Sequence, residues 1–166
     1  MDNYWHINDN YKRSQDVLDF IAAQSELLSQ QTDGLVLAKL IKKRFDSLAG
    51  MQAMITAMES NLSSFHNGGE DAGKLYGKIT YEFFVTDKDG KYELSIFEIS
   101  CNDEFPVDLR IEASIAEEAR LQTRYTVESY DEFVGYFADI LKAKKINYVI
   151  RKLKRIAETS KTRSVQ

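Results

Sequence analysis

The chain has very few of the residues that build covalent, metal or membrane sites. Its 166 residues include one cysteine, one proline and two histidines. Because a single thiol cannot form an internal disulfide, the fold is not expected to depend on an oxidising compartment. No apolar run approaches the roughly 18 residues of a membrane span, and the first residues do not resemble a secretory signal. These features predict a cytoplasmic protein without a membrane partner.

The few residues able to carry chemistry do not form a convincing metal, nucleotide or catalytic motif. His6 and His66 have no further ligands at metal-binding spacing, and Cys101 has no nucleophile signature around it. Gly68–Lys74 matches part of a phosphate-binding loop, but the following residue lacks the hydroxyl that holds magnesium. Asp87–Gly90 starts like a calcium loop, yet the later ligands are missing and a hairpin turn is favoured. We predict no catalytic residue, no metal, no cofactor and no small-molecule substrate.

The composition is that of a folded globular protein. Hydrophobic residues make up 43% and charged residues 29% of the chain. A chain of 166 residues is about one domain long and can bury a core without covalent cross-links. We therefore predict a single domain over residues 1–166, of the α+β class.

The spacing of apolar residues predicts helices at both ends of the chain and a sheet between them. After an irregular arm over 1–13, the helical period over 14–65 indicates a hairpin of two antiparallel helices. The pattern over 75–129 alternates, which predicts an antiparallel meander of three to four strands. A change of strand parity at Phe97 indicates either a β-bulge or a strand that is apolar on both faces.

A capping box at Ser129–Glu132 precedes the last helical pattern. We predict a C-terminal helix or helix pair over 130–158, because the apolar stripe changes phase at about 143–145. Residues 159–166 are predicted to be a disordered tail.

The second helix of the predicted hairpin, over about 35–65, has apolar residues at heptad spacing. Such a seam packs against another helix or against a second copy of the chain. The seam is longer than the first helix can cover, so the excess must meet the sheet, the C-terminal helices or a second copy. Of these we predict the second copy, and therefore a homodimer. The candidate self-association residues are Ile41, Leu48, Met51, Ile55, Met58 and Leu62.

Charge is unevenly distributed, although the net charge is only −4. Residues 66–141 contain seven basic and seventeen acidic residues, whereas residues 142–163 contain nine basic residues and one acid. The basic end is a candidate contact for an acidic protein surface or for nucleic-acid phosphates, and a merely solvated helix face is the third interpretation. The candidate contact residues are Lys144, Lys145, Arg151, Lys152, Lys154 and Arg155.

The acidic residues of the predicted sheet alternate with apolar residues along each strand. A solvated outer face is the favoured interpretation, and an acidic face that docks a basic partner is the alternative. The function predicted from these patterns is a non-catalytic protein–protein interaction protein of the inhibitor, immunity, antitoxin or adaptor kind. The alternatives are a nucleic-acid-binding regulator and an enzyme whose site is assembled only by folding.

Overall fold

The computed structural model describes residues 12–43 and 78–163. These residues form an α+β fold, with one five-stranded antiparallel sheet and four helices. The elements in chain order are α1 (Ser14–Gln31), β1 (Val36–Lys42), β2 (Ile79–Asp87), β3 (Glu93–Cys101), β4 (Val107–Ile111), α2 (Ala113–Ala119), β5 (Arg124–Val127), α3 (Tyr130–Leu141) and α4 (Lys144–Arg163). Within these ranges, no helix combines the length and the apolar character that a membrane crossing requires.

The strands lie side by side in the order of the chain, and each pairs antiparallel with the next. The ladder between β2 and β3 pairs Phe83 with Phe97 and Phe84 with Ser95, so that Ile96 is an extra residue on β3. This is the predicted β-bulge. The extra residue interrupts the alternation of side chains between the two faces of the sheet. Ile96 and Phe97 are therefore both buried, although they are neighbours in the chain.

One face of the sheet, the inner face, is apolar and is covered by helices. Its centre is an aromatic cluster in which the rings of Phe83 and Phe97 stack with 4.8 Å between centroids. Phe137 of α3 meets them at 5.9 and 6.0 Å, and Phe20 of α1 lies 5.2 Å from Phe137. Edge-to-face and offset contacts of this kind stabilise a core beyond the area they bury. The cluster joins α1 and α3 to the middle of the sheet.

The helix boundaries predicted near Ser14 and at Ser129 are confirmed. The first helix begins at Ser14, and the hydroxyl of Ser129 accepts a hydrogen bond from the N–H of Glu132 at 3.3 Å, which caps α3. The phase change at residues 143–145 is also confirmed, because α3 ends at Leu141 and α4 begins at Lys144. The last helix continues to Arg163, beyond the predicted end at 158.

The prediction of a long helix over 35–65 is wrong at residues 36–42. This segment is β1, and it pairs along its whole length with β2. A short apolar run satisfies either the helical or the strand period, and pairing with a neighbouring strand decides between them. The added strand is why the sheet has five strands instead of the predicted three to four.

The first residue of the predicted self-association seam lies on a strand and not on a helix. Ile41 lies on β1 with its side chain 51% exposed, on the face of the sheet that the helices do not cover. The other five positions of the seam, Leu48, Met51, Ile55, Met58 and Leu62, lie outside the described residues.

Candidate functional site

The solvent side of α4 carries a stripe of basic residues with a tyrosine among them. We call it the basic face of α4, and its members are Lys144, Tyr148, Arg151, Lys152 and Arg155, all exposed. Their spacing places them on one side of the helix. At 1.5 Å per residue, the stripe is about 16 Å long.

The opposite side of α4 fixes the helix to the rest of the fold. Ile146, Leu153 and Ala157 are 1%, 4% and 3% exposed and follow one another at helical spacing. The first of these residues belongs to the main core, together with Phe133 and Phe137 of α3. Because its apolar side is already buried, α4 presents the basic face as a rigid surface. A rigid surface loses little conformational entropy when it binds a partner.

The structure separates Lys145 from the other candidate basic residues. Its ammonium group is hydrogen-bonded to the hydroxyl of Ser114 and lies 3.7 Å from a carboxylate oxygen of Glu112. Its backbone N–H donates to Glu118 at 2.8 Å, so that a carboxylate of α2 caps the start of α4. Lys145 therefore attaches α4 to α2 and is not part of the basic face. Lys154 is half-buried and lies at the other border of the stripe.

The basic face is not neutralised from within the described part of the chain. No ion pair between described residues involves Lys144, Arg151, Lys152 or Arg155. Tyr148 is 60% exposed, the highest value among the large hydrophobic side chains of the described residues. A tyrosine can bury its ring and still keep its hydroxyl hydrogen-bonded, which is why tyrosines are enriched at binding surfaces.

The second polar surface is the face of the sheet opposite the helices, which we call the outer face. Three of its carboxylates are paired with basic residues. Glu98 binds Lys43, Glu82 lies 3.6 Å from the same ammonium group, and Asp108 binds Lys78 at 2.6 Å. The hydrogen bond that the ammonium group of Lys43 donates to Glu98 raises the pKa of Lys43, against the opposing effect of partial burial. The alternative of an acidic docking face loses support, because these three acids already have cationic partners.

Two arginines lie next to each other on the outer face. Arg110 of β4 and Arg124 of β5 are direct partners in the antiparallel ladder, and both are exposed. They line two shallow, open basins of about 490 and 380 Å³, one on each side of the pair. Glu98 also lines both basins, and one of its oxygens lies 3.8 Å from Arg110. Sequence reasoning missed this pair because it depends on the register between two strands separated by α2.

Cys101 has the environment of a packing residue. It is 4% exposed at the end of β3. Burial raises the pKa of its thiol, against the opposing effects of Ser14 and Lys78. Because the thiolate is the reactive form, this environment disfavours nucleophilic chemistry at Cys101. Among residues 12–43 and 78–163, no three His, Cys, Asp or Glu side chains are grouped closely enough to hold a metal ion.

Comparison of the chain with protein-family models, with curated proteins and with solved structures finds no match. The function must therefore be argued from the surfaces themselves.

Proposed function

We propose that the chain is a non-catalytic protein–protein interaction protein that presents the basic face of α4 to an acidic surface of a partner protein. The observation that carries the proposal is the absence of internal neutralisation along this face, within the described residues, on a helix whose other side is firmly buried. The partner protein is expected to carry an acidic patch about 16 Å long, which matches the length of the basic face.

The charge of the whole chain favours a protein partner over nucleic acid. The net charge is −4, and residues 66–141 alone contain seventeen acids against seven bases. A nucleic acid is a long polyanion whose field extends past the contact site, so the acidic part of this chain would repel it. A folded protein can place a local acidic patch against α4 without that long-range repulsion.

The chemistry of the basic face also indicates how a partner would be held. Tyr148 would be the buried anchor at the centre, and the cations around it would form the polar rim that orients the partner. Rim charges act mainly on the rate of association and on its salt dependence. Binding should therefore weaken as ionic strength rises.

The test compares two triple variants, each of which replaces one tyrosine and two basic residues, on two different surfaces. The face variant carries Tyr148→Ala, Arg151→Glu and Lys152→Glu. The control carries Tyr92→Ala, Lys88→Glu and Lys91→Glu in and beside the exposed turn between β2 and β3, so its net charge changes equally. The full-length parent chain is used to capture its partner from the native cell, and the dissociation constant of the purified partner is measured for all three chains. We expect the face variant to bind at least about tenfold more weakly than the control.

Labelled duplex DNA and single-stranded RNA are tested in parallel with the same three chains. Tight, strongly salt-dependent binding of an oligonucleotide by the parent, lost only in the face variant, would assign the face to nucleic acid and overturn the proposal. Equal partner binding by the face variant and the control would overturn it as well.

A further inference from the structure

We propose that Arg110 and Arg124 form a binding subsite for a phosphate monoester on the outer face of the sheet. This inference is independent of the basic face of α4, which lies on a different element. It rests on the ladder register, on the local balance of charge and on the groups that line the two basins beside the pair.

The register places two like charges on directly paired positions of neighbouring strands. Arg110 and Arg124 are directly opposite each other, and such partners have Cβ atoms about 5 Å apart. Like charges directly opposite are destabilising. Neither arginine is needed to cover the core, because both side chains are exposed.

Three carboxylates line the basins beside the pair, and each of them has a lysine as a partner. Asp108 in the larger basin is bound by Lys78 at 2.6 Å, and Glu112 in the smaller basin lies 3.7 Å from the ammonium group of Lys145. Glu98 lies 3.8 Å from Arg110, which is long for an ion pair with a guanidinium group, and it is bound more closely by Lys43. Among the described residues no ion pair involves Arg124. The pair therefore retains positive charge that a bound anion would compensate.

The geometry of two guanidinium groups selects the type of anion. Each guanidinium offers a planar fork of N–H donors that matches two oxygens of a phosphate or a carboxylate. A carboxylate has two oxygens and one charge, and a single fork satisfies it. A phosphate monoester has three free oxygens and nearly two charges at neutral pH, so it can be bound by both forks at once.

The surroundings of the pair provide further hydrogen bonds to such a ligand. On one side the larger basin is lined by the hydroxyls of Thr80, Ser100 and Thr126. The first two are hydrogen-bonded to each other at 2.8 Å, which leaves one hydroxyl hydrogen of that pair available to a bound oxygen. The basin is open, so the rest of the ligand can extend into solvent.

The test is a titration of the full-length chain with inorganic phosphate and with glycerol 3-phosphate, followed by NMR at constant ionic strength. The parent should show saturable shifts of the backbone amides of β4 and β5. Arg124→Gln should weaken binding about tenfold or more, because it removes one fork of charge-assisted hydrogen bonds. Arg13→Gln, just before α1, is the matched control: it removes an exposed arginine that lies outside both proposed surfaces and should leave phosphate binding unchanged. A failure of the proposed function of α4 would not alter this result.

A second pair of variants tests the role of Glu98. Glu98→Gln should tighten phosphate binding severalfold, because it removes the carboxylate that competes with the ligand for Arg110. Glu93→Gln at the exposed start of β3 removes an equal charge and should have little effect. The proposal is overturned if phosphate causes no saturable shift, if Arg124→Gln and Arg13→Gln bind it equally, or if chloride at the same ionic strength produces the same shifts.

Discussion

The hydroxyl of Thr32 and the backbone of Val36 connect the end of α1 to the start of β1. The hydroxyl oxygen accepts from the N–H of Val36 at 3.2 Å and lies 2.9 Å from the carbonyl oxygen of Leu28, to which it can donate. Thr32 is only 5% exposed, so water cannot easily replace these partners.

Replacing the hydroxyl of Thr32 should therefore destabilise the fold while keeping its shape. We expect Thr32→Val to lower the free energy of unfolding by about 1–3 kcal/mol, because it leaves a buried N–H without its acceptor. Urea denaturation measures the difference. The control is Thr126→Val on β5, where the hydroxyl is exposed and lies 3.5 Å from Asp108, and its effect should stay within about 0.5 kcal/mol. Similar effects of the two variants would contradict the structural role given to Thr32.

The carboxylate of Asp87 links the turn between β2 and β3 to the pH dependence of stability in acid. Its carboxylate accepts hydrogen bonds from the N–H groups of Asp89, Lys91 and Tyr92 at 3.3, 2.7 and 2.8 Å. Burial raises the pKa of Asp87, but these donors outweigh burial and the pKa lies below its ordinary value of 3.8. The carboxyl group of Asp87 therefore binds a proton less tightly in the folded chain than in the unfolded chain. The stabilisation is present above pH 3.8 and is lost as the pH falls from there through the folded pKa.

Asp87→Asn should lower stability at neutral pH and flatten the decrease of stability below pH 3.8. Urea unfolding measured from pH 7 to acid gives both quantities. Asp89→Asn changes a neighbouring, exposed carboxylate and should keep the slope of the parent. An unchanged acid slope in Asp87→Asn would show that the turn is not its source.

Phe137 should be one of the most costly side chains to truncate, because it contacts the rings of both Phe83 and Phe97 in the aromatic cluster. We expect Phe137→Ala to lower the free energy of unfolding by about 3–5 kcal/mol. If that variant does not fold, Phe137→Leu should show a smaller loss in the same direction. Tyr92→Ala removes a ring that is 54% exposed and should change stability by no more than about 0.5 kcal/mol.

The neighbouring residues Lys144 and Lys145 should behave differently. Lys145→Met breaks the contacts with Ser114 and Glu112, so we expect thermal stability to fall while partner binding changes little. Lys144→Met removes an exposed charge from the basic face, so stability should stay within about 0.5 kcal/mol and partner binding should weaken. A reversed pattern would show that the assignment of the two lysines is wrong.

The parts of the fold that the sequence predicted well depend on local signals. The hydroxyl of Ser129 accepts from the N–H of Glu132, and the carboxylate of Glu132 accepts from the N–H of Glu128, so both contacts at the start of α3 are local. The phase change before α4 is likewise visible along one helix stripe. At residues 36–42 the local signal was ambiguous, since Leu37 and Ile41 are apolar although they lie on the outer face of a strand. Only pairing with β2 distinguishes a strand from a helix there.

The basic face of α4 could be predicted from the sequence better than the outer face of the sheet, because its residues are close together in the chain. The basic face of α4 follows from helical spacing alone, except that the partners of Lys145 come from α2. Pairs on the outer face could not be predicted, because they join residues far apart in the chain, such as Lys43 with Glu98 and Lys78 with Asp108. Their formation requires a ladder register that no single segment contains.

The order of the strands has a consequence for the rate and sequence of folding. The ladders β2–β3, β3–β4 and β4–β5 join strands over short separations in the chain, whereas the ladder between β1 and β2 joins position 36 to position 87. Closing a longer loop costs more entropy before any contact compensates for it, so distant pairings tend to form later. In pulsed hydrogen exchange, amides of β2 to β5 should gain protection first, and those of β1 should follow in a slower phase.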